Sequence, residues 1–156
     1  ESLKRVESLI NRNIPFHKVD VRDKAALTQI FEQYSIDGVI HFAGLKSVGE
    51  SVSNPIMYFD NNVSGSLSLF DVMEEFNCKN LIFSSSATVY GDPHTLPIKE
   101  DFPLSVTNPY GRSKLMIEEF FQYGGETRNI HKSLDLIRSL KIKFVVLFYE
   151  VETPTT

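Results

Sequence analysis

The residues from Leu81 to Gly91 constrain the fold more than any other stretch of this 156-residue chain. An apolar run, Leu-Ile-Phe, passes directly into three serines and then into Ala-Thr-Val-Tyr-Gly. Such a run is typical of a buried parallel strand, and the small hydroxylated residues after it indicate that the carboxyl end opens into a site. Because ligands of open parallel sheets bind at the carboxyl ends of strands, we expect chemistry where this strand ends.

A second motif, Tyr110-Gly-Arg-Ser-Lys114, follows a loop with four prolines from Gly91 to Pro109. Pro109 suits the first turn of a helix, and residues four apart share one helix face. The ammonium of Lys114 should therefore lie one turn from the phenol of Tyr110, stabilise its anion and equip it for acid–base work. Tyr-x-x-x-Lys alone occurs by chance on many helices, so this prediction depends on the serine strand end that precedes it.

Elsewhere the apolar spacing alternates between helical and strand periods. The predicted elements are a helix over Leu3–Ile10, a strand over Phe16–Val21, a helix capped by Asp23, a strand over Ile36–Ala43, a helix over Pro55–Phe76, a strand over Leu81–Ser84, a helix over Tyr110–Tyr123 closed by Gly124-Gly125, a helix over Ile130–Leu140 and a strand over Lys143–Tyr149. Strands that alternate with helices predict a doubly wound parallel sheet with three α/β/α layers. The loops after Val19, Phe42 and Ser84 would share one edge, where a dinucleotide would lie.

Composition argues against several classes of protein. The net charge of −4, without a basic run, disfavours nucleic acid or an anionic membrane as the main partner. Cys78 is the only cysteine, which excludes an internal disulfide and favours a reducing compartment. His41 has no second ligand at metal spacing, so we predict no metal site. With no signal-peptide pattern or 18-residue apolar span, a cytosolic protein is predicted.

The serine strand end with Tyr-x-x-x-Lys resembles the short-chain dehydrogenase/reductase superfamily. Within it, the segments Ser84–Gly91, His41–Lys46 and Val48–Ser51 closely resemble the UDP-glucose 4-epimerase family, and the similarity runs from about Ser2 to about Glu119. The resemblance implies a partial Rossmann-like fold, tightly bound NAD, and interconversion of UDP-glucose and UDP-galactose through a 4-keto intermediate in galactose metabolism. It also implies a homodimer formed by two long helices, which correspond here to Pro55–Phe76 and to the helix starting at Tyr110.

The resemblance also assigns roles to individual residues. The catalytic residues would be Tyr110, which takes the proton of the sugar 4-hydroxyl, Lys114, which also holds the nicotinamide ribose, and Ser86, which bridges the substrate oxygen and the phenol. These three residues would also contact the cofactor, together with Asp20 and Val21 at the adenine, the loop residues Phe42, Ala43, Gly44, Leu45 and Lys46, and Asn61 on the long helix. Substrate contacts would come from Lys46, Ser86, Thr88 and Tyr110.

The residues by themselves leave other interpretations of these positions open. Asp20 also suits a turn or helix cap, and Ser86 suits a cap at the strand end. Lys46 could be a solvated lysine. Asn61, together with its neighbour Asn62, could simply bend the long helix.

Ala87 and Thr88 distinguish between reactions within the superfamily. Related nucleotide-sugar dehydratases usually carry Asp-Glu at these two positions, and related decarboxylases usually carry Glu at the second. This chain has no carboxylate at either position. The resemblance therefore implies reversible oxidation at C4 of the sugar without elimination of water.

A glycine-rich phosphate turn is missing from the sequence. Neither G-x-G-x-x-G nor G-x-x-G-x-x-G occurs among the eight glycines, although a dinucleotide fold normally opens with such a turn. By resemblance, the chain begins in the helix after the family's second strand. Residues 1–121 are expected to form the central part of an NAD(P)-binding Rossmann-like domain, with the first βα unit and the substrate domain absent.

Residues 122–156 are expected to be divergent, because Val146–Val151 stands where the family has a strand leading to Tyr-Phe-Asn-Pro. We expect the chain alone to be inactive and to show no NAD-dependent stabilisation. Two alternatives stay open. One is a non-catalytic Rossmann remnant that binds nothing tightly, and the other is an epimerase for a different UDP-sugar.

Overall fold

The computed structural model describes residues 2–123, 129–131 and 144–147. The helices are α1 (Ser2–Ile10), α2 (Lys24–Gln33), α3 (Val48–Ser53), α4 (Pro55–Phe59), α5 (Gly65–Glu75) and α6 (Pro109–Tyr123). The strands are β1 (Gly38–His41), β2 (Asn80–Phe83), β3 (Asn129–His131) and β4 (Phe144–Leu147). A π-helical turn, Asp60–Ser64, joins α4 to α5, and a 3₁₀ turn, Ala87–Tyr90, follows β2.

The four described strands form one parallel sheet in the order β3-β2-β1-β4. β1 and β2 pair from Gly38 opposite Asn80 to His41 opposite Phe83, so their carboxyl ends lie side by side. Ser84 continues the contact, because its N–H donates to the carbonyl of His41 at 3.1 Å. The loops after β1 and β2 therefore leave from the same sheet edge, as the parallel α/β prediction requires.

The larger apolar cluster among the described residues joins β1 and β2 to α2, α5 and α6. It consists of Val21, Leu27, Phe31, Val39, Ala43, Leu69, Phe70, Val72, Met73, Cys78, Leu81, Phe83 and Ile117. Burial of these side chains supplies the main stabilisation of the packing between the sheet and the helices α2, α5 and α6. None of the helices in the described part of the chain combines the length and apolar content that crossing a bilayer requires.

The predicted strand Phe16–Val21 is wrong, since this segment forms no strand in the described chain. Both edges of β1 are already paired, one with β2 and the other with β4, so β1 has no free edge to which this segment could bind. The side chains still alternate, because Val19 and Val21 pack on the core while Phe16 is 67% exposed. Alternation reports which face of a segment is buried, but a strand also needs a neighbouring strand with free backbone groups.

Two of the predicted helices also differ from the structure. The predicted helix Pro55–Phe76 is observed as α4, the π turn and α5, so the helical path is right, and its interruption contains the Asn61-Asn62 pair that one interpretation of the sequence expected to bend it. The predicted helix Ile130–Leu140 is wrong at its start, where β3 lies, because a short apolar run does not separate helix from strand by its pattern. Its remaining residues and the Gly124-Gly125 cap lie outside the described residues.

The other predicted elements are confirmed with small changes of bounds: α1 and α6 each begin one residue earlier than predicted, β2 is displaced by one residue, and the two remaining strands are shorter. β1 covers the centre of the predicted strand Ile36–Ala43, and β4 covers the described part of Lys143–Tyr149. Asp23 caps α2 as expected, since its carboxylate accepts the N–H of Ala26 at 3.0 Å. Helix α3 was missed, although the capping pattern Ser-x-x-Glu of residues 47–50 could have indicated it.

Candidate functional site

Helix α6 is attached to the end of β2 through Lys114. The Nζ of Lys114 donates a hydrogen bond to the carbonyl oxygen of Ser84 at 3.0 Å, and it lies 4.8 Å from the centre of the Phe83 ring. The residue is only 5% exposed. The ammonium therefore sits where the strand opens into the serine run, at the sheet edge where the sequence predicted chemistry.

Burial perturbs the ammonium of Lys114. Removal from water disfavours the charged form and lowers the pKa of this lysine from 10.5 to about 8. The group is thus mostly charged at pH 7 and loses its proton about two pH units earlier than a solvated lysine. A cation held in this way can support a neighbouring anion at neutral pH.

The first turn of α6 contacts the 3₁₀ turn at a point where only glycine fits. A Cβ atom on Gly111 would lie 2.9 Å from the carbonyl oxygen of Thr88 and 3.3 Å from its Oγ1. Contacts this short are repulsive, so the absence of a side chain at Gly111 lets α6 approach the 3₁₀ turn closely. Tyr110 and Ser86 are therefore carried by two elements in direct contact.

Ser86 caps the 3₁₀ turn, as one of the two sequence interpretations expected. Its Oγ accepts hydrogen bonds from the backbone N–H of Thr88 at 3.3 Å and from the Thr88 hydroxyl at 2.9 Å. Since Ser86 accepts in both bonds, its own hydroxyl hydrogen stays available for another oxygen. Capping and a catalytic role are therefore compatible in this residue.

Tyr110 is 9% exposed and packs edge-on against Tyr58, with ring centres 6.5 Å apart. Leu45 completes this small cluster. The Tyr110 hydroxyl makes no hydrogen bond within the described part of the chain, which leaves it available for a ligand. The catalytic roles of Tyr110, Lys114 and Ser86 stay predictions, although all three lie around the end of β2.

Tyr58 was not singled out from the sequence. It is fully buried, its hydroxyl donates to Glu50 at 2.7 Å, and it accepts the N–H of Ser47 at 2.9 Å. Burial, followed by the bond to Glu50, raises the pKa of Tyr58 to about 12, so this phenol stays protonated. Tyr58 therefore supports the ring of Tyr110 and is not itself suited to proton transfer at neutral pH.

The loop after β1 passes beside the Lys114 ammonium. Gly44 has a φ of +156°, and a Cβ on it would lie 3.5 Å from the Lys114 Nζ and 3.3 Å from the Asn62 Oδ1. Ala43 and Leu45, on either side, are buried. Because glycine has no side chain, the Asn62 amide and the Lys114 ammonium can lie close to the backbone of Gly44 on this side.

Two further predicted contacts lie on the same loop, and both are exposed at the sheet edge. They are Phe42, which is 43% exposed, and Lys46. Their proposed contacts with cofactor, and that of Lys46 with substrate, stay predictions.

The Asn61-Asn62 pair lies in the π turn, and it is Asn62 that connects the site. The Asn62 side chain accepts the N–H of Leu45 at 2.8 Å and donates to the carbonyl of Leu45 at 2.9 Å and to the hydroxyl of Ser113 at 3.1 Å. It thereby joins the loop after β1 to α6. Asn61 is 4% exposed and donates to the Asn62 Oδ1 at 2.9 Å, so its cofactor contact stays a prediction. Nothing in the sequence distinguishes which asparagine of the pair makes these links.

Asp20 forms a charged cluster with Arg22. The Arg22 guanidinium donates to the Asp20 carboxylate at 2.6 Å and also bonds Asp60 in the π turn. The hydrogen bond from Arg22 is the main cause that lowers the pKa of Asp20 below its ordinary value. The Asp20 carboxylate also accepts the backbone N–H of Arg22 at 2.9 Å, so the turn interpretation of Asp20 is observed, and its adenine contact stays a prediction. Val21 can offer a ligand only its backbone, because its side chain is buried against Gly65.

His41 fills the sheet, as predicted. It is 1% exposed, and its Nε2 lies 2.8 Å from the Ser66 Oγ. The Ser66 hydroxyl donates to the carbonyl of Asn62 at 2.6 Å, so the Nε2 must carry the hydrogen of the His41–Ser66 bond. Burial, together with the charge of Lys114, lowers the pKa of His41 to about 3, and the ring is neutral at physiological pH.

A parallel sheet, with the helix that carries Tyr110 and Lys114 packed on the serine run after β2, defines a Rossmann-like protein of the short-chain dehydrogenase/reductase type. The chain belongs to the family described as GDP-mannose 4,6 dehydratase, whose model matches residues 1–143. Two curated relatives are UDP-glucose 4-epimerases. That of Dictyostelium discoideum is 57% identical over 122 residues, which are 78% of this chain and 36% of the relative. UDP-glucose 4-epimerase 2 of Arabidopsis thaliana is 52% identical over 135 residues, 85% of this chain and 37% of the relative.

The same class of enzyme is found among solved structures. UDP-glucose 4-epimerase from Bifidobacterium longum, in complex with NAD⁺ and UDP, matches with a TM-score of 0.74 and 44% sequence identity. The match covers 94% of this chain and 41% of that chain. The predicted family and fold are therefore confirmed. This chain spans a little over a third of the length of the curated relatives that it matches.

Proposed function

We propose that this chain is the central part of a UDP-glucose 4-epimerase, which interconverts UDP-glucose and UDP-galactose with bound NAD. The observation that carries the proposal is the hydrogen bond from Lys114 to Ser84, which brings the Tyr–Lys helix onto the serine strand end. The identities of 52–57% to curated enzymes of that name support the same function. We place the activity in galactose metabolism and in the cytosol, in keeping with a single, buried cysteine.

Tyr110 is the residue proposed to move the proton. Its phenolate, stabilised by the nearby Lys114 ammonium, would take the proton of the sugar 4-hydroxyl, and the phenol so formed would later return it. Ser86 would donate its remaining hydroxyl hydrogen to the substrate oxygen and so hold it against the phenol. When bound, NAD supplies the acceptor and the later donor of hydride.

The 3₁₀ turn favours epimerisation over dehydration, although the matching family model is named after a dehydratase. Ala87 carries no functional group, and the Thr88 hydroxyl is bonded to Ser86. Elimination of water needs a carboxylate or a similar acid–base pair beside the substrate. Neither position supplies one, so reversible oxidation at C4 is the chemistry that remains.

The described residues fit the nicotinamide side of an NAD site. The Lys114 ammonium lies beside the backbone of Gly44, where it could bind a ribose hydroxyl or a carbonyl oxygen of the cofactor. We assign the remaining cofactor contacts to Asp20 and Val21, to the loop residues Phe42 to Lys46, and to Asn61. Because the sequence contains no glycine-rich phosphate turn, we expect no NAD-dependent thermal shift of the chain by itself.

A segment exchange tests the proposed function. The 122-residue segment of the Dictyostelium enzyme that matches this chain is replaced by the corresponding segment of this chain, and conversion of UDP-galactose to UDP-glucose is measured. We expect turnover, and we expect Tyr110→Phe to abolish it while leaving the melting temperature unchanged. Tyr34→Phe, which removes a phenol that is bonded to His17, is the matched control. An exchanged enzyme that binds NAD but does not turn over would favour the non-catalytic alternative, and activity that survives Tyr110→Phe would remove this residue from the mechanism.

We also propose a homodimer through the long helical segment Pro55–Glu75 and α6. Leu67 and Met116 are 41% and 39% exposed on these elements, which leaves apolar surface for a second copy. Sedimentation of the exchanged enzyme should give a dimer, and Met116→Glu should give a monomer. A dimer that is unaffected by this change would place the interface elsewhere.

A further inference from the structure

Helix α6 contacts the serine run at two consecutive residues, and only the first contact involves a residue assigned above. Lys114 holds the Ser84 carbonyl, and one helical turn further on the Glu118 carboxylate accepts a hydrogen bond from the Ser85 hydroxyl. Glu118 is 9% exposed and directly follows Ile117, which is buried, as is Leu115 one helical turn before Glu118. A carboxylate in such a place is costly unless its oxygens are bonded, so its contact with Ser85 calls for an explanation.

We propose that Glu118 is a positioning residue, which acts through Ser85 to hold Ser86 in its orientation for catalysis. The inference rests on the proposed function and extends it to a residue that does not itself touch substrate. The two backbone contacts of Ser84, with Lys114 and with His41, hold Ser84 itself but leave the residues after it able to rotate about the end of β2. The second contact of α6, at the Ser85 side chain, fixes that rotation.

The backbone of Ser86 shows why the orientation matters. Its φ of −153° and ψ of 145° are those of an extended residue, and successive side chains of an extended segment point to opposite sides. With Ser85 turned toward Glu118, the Ser86 hydroxyl is directed away from that carboxylate and toward Thr88, where it caps the 3₁₀ turn. If Ser85 were released, Ser86 could rotate and lose the geometry in which its hydroxyl hydrogen is available to substrate.

Four variants test this inference. Glu118→Ala and Ser85→Ala each remove one side of the contact, and Glu118→Gln keeps an acceptor oxygen for the Ser85 hydroxyl. Glu119→Ala is the matched control, because it removes the same side chain from the next residue of the same helix. The variants are made both in the exchanged enzyme and in the 156-residue chain itself.

In the exchanged enzyme, Glu118→Ala should lower kcat by about tenfold with the KM for UDP-galactose unchanged, since a bond to a charged group is typically worth that factor or more. Ser85→Ala should lower kcat similarly, the double variant should be no worse than either single one, and Glu118→Gln should recover most of the loss. Losses that multiply in the double variant would show that Glu118 does not act through Ser85. A kcat equal to that of Glu119→Ala would also overturn the inference.

Hydrogen exchange in the chain itself separates this inference from the proposed function. The N–H of Val89 is bonded to the Ser86 carbonyl at 3.1 Å and so reports closure of the 3₁₀ turn. Glu118→Ala should speed its exchange about tenfold relative to Glu119→Ala. If the unsubstituted exchanged enzyme is inactive, the proposed function fails, and this exchange rate still decides whether Glu118 anchors the turn. An unchanged rate would refute the anchoring.

Discussion

Lys114→Met should change the pH dependence of folding stability in a direction and by an amount that follow from its burial. In the folded chain Lys114 is 5% exposed, and the pKa of its ammonium is lowered from 10.5 to about 8. The unfolded chain keeps the ordinary value. Below pH 8 both states carry the proton, and the folded state bears the full desolvation penalty of the buried charge.

The sign follows from the protons bound in each state. Between about pH 8 and 10.5 the unfolded chain holds a proton that the folded chain has released, so the free energy of unfolding rises with pH through that window. A shift of this size corresponds to roughly 3 kcal/mol, at about 1.4 kcal/mol per pH unit. The wild-type chain should therefore gain about 3 kcal/mol relative to Lys114→Met between pH 7 and pH 10.5.

Urea denaturation at half-unit pH steps measures this difference. Other titrating groups contribute to both proteins, so their effects largely cancel when the two unfolding free energies are subtracted. Lys99→Met, at an exposed position in the proline-containing loop, is the matched control for removal of one positive charge. Its difference from wild type should show no comparable rise.

A flat difference between wild type and Lys114→Met across this range would refute the reasoning. It would mean that water reaches the ammonium or that its bond to the Ser84 carbonyl fully offsets the burial. The Lys114 ammonium would then not be partly desolvated. Its proposed role in stabilising the Tyr110 phenolate would lose this support. A falling difference would mean that the charged form is favoured by folding, which is the opposite of what burial predicts.

Two further substitutions test the close contacts that build the site. Gly111→Ala should destabilise the chain by about 1–3 kcal/mol in urea denaturation, because the new Cβ would meet the Thr88 carbonyl at 2.9 Å. Gly49→Ala, where a Cβ meets nothing within 4 Å, should be neutral or stabilising by up to about 1 kcal/mol, and equal effects at the two glycines would contradict the packing. Asn62→Ala should cost roughly 2–4 kcal/mol, since it leaves two buried backbone groups of Leu45 unpaired. The amide of Leu45 should then exchange faster than the rest of the core, and an unchanged exchange rate would show that Asn62 does not hold the loop.

Much of the site could be predicted because its signals are local. The apolar run of β2, the serines after it and the four-residue spacing of Tyr110 and Lys114 each follow from the geometry of one element. Parallel pairing then brings the ends of β1 and β2 together without further information from the sequence. The predicted strand at Phe16–Val21 failed because strand pairing depends on a partner elsewhere in the chain, which no local pattern reports.

Local periodicity and motif spacing by themselves determined the parallel α/β class and the Tyr110–Lys114 pair, the resemblance to a known family added Ser86, and the absence of a carboxylate at Ala87-Thr88 follows directly from the sequence. Only the tertiary structure decided that Lys114 is buried, with a pKa of about 8, and that Asn62 rather than Asn61 joins the loop to α6. It also decided that Glu118 reaches Ser85. Burial and side-chain hydrogen bonds between distant residues arise when separate elements pack together, so their energies are set by the assembled core.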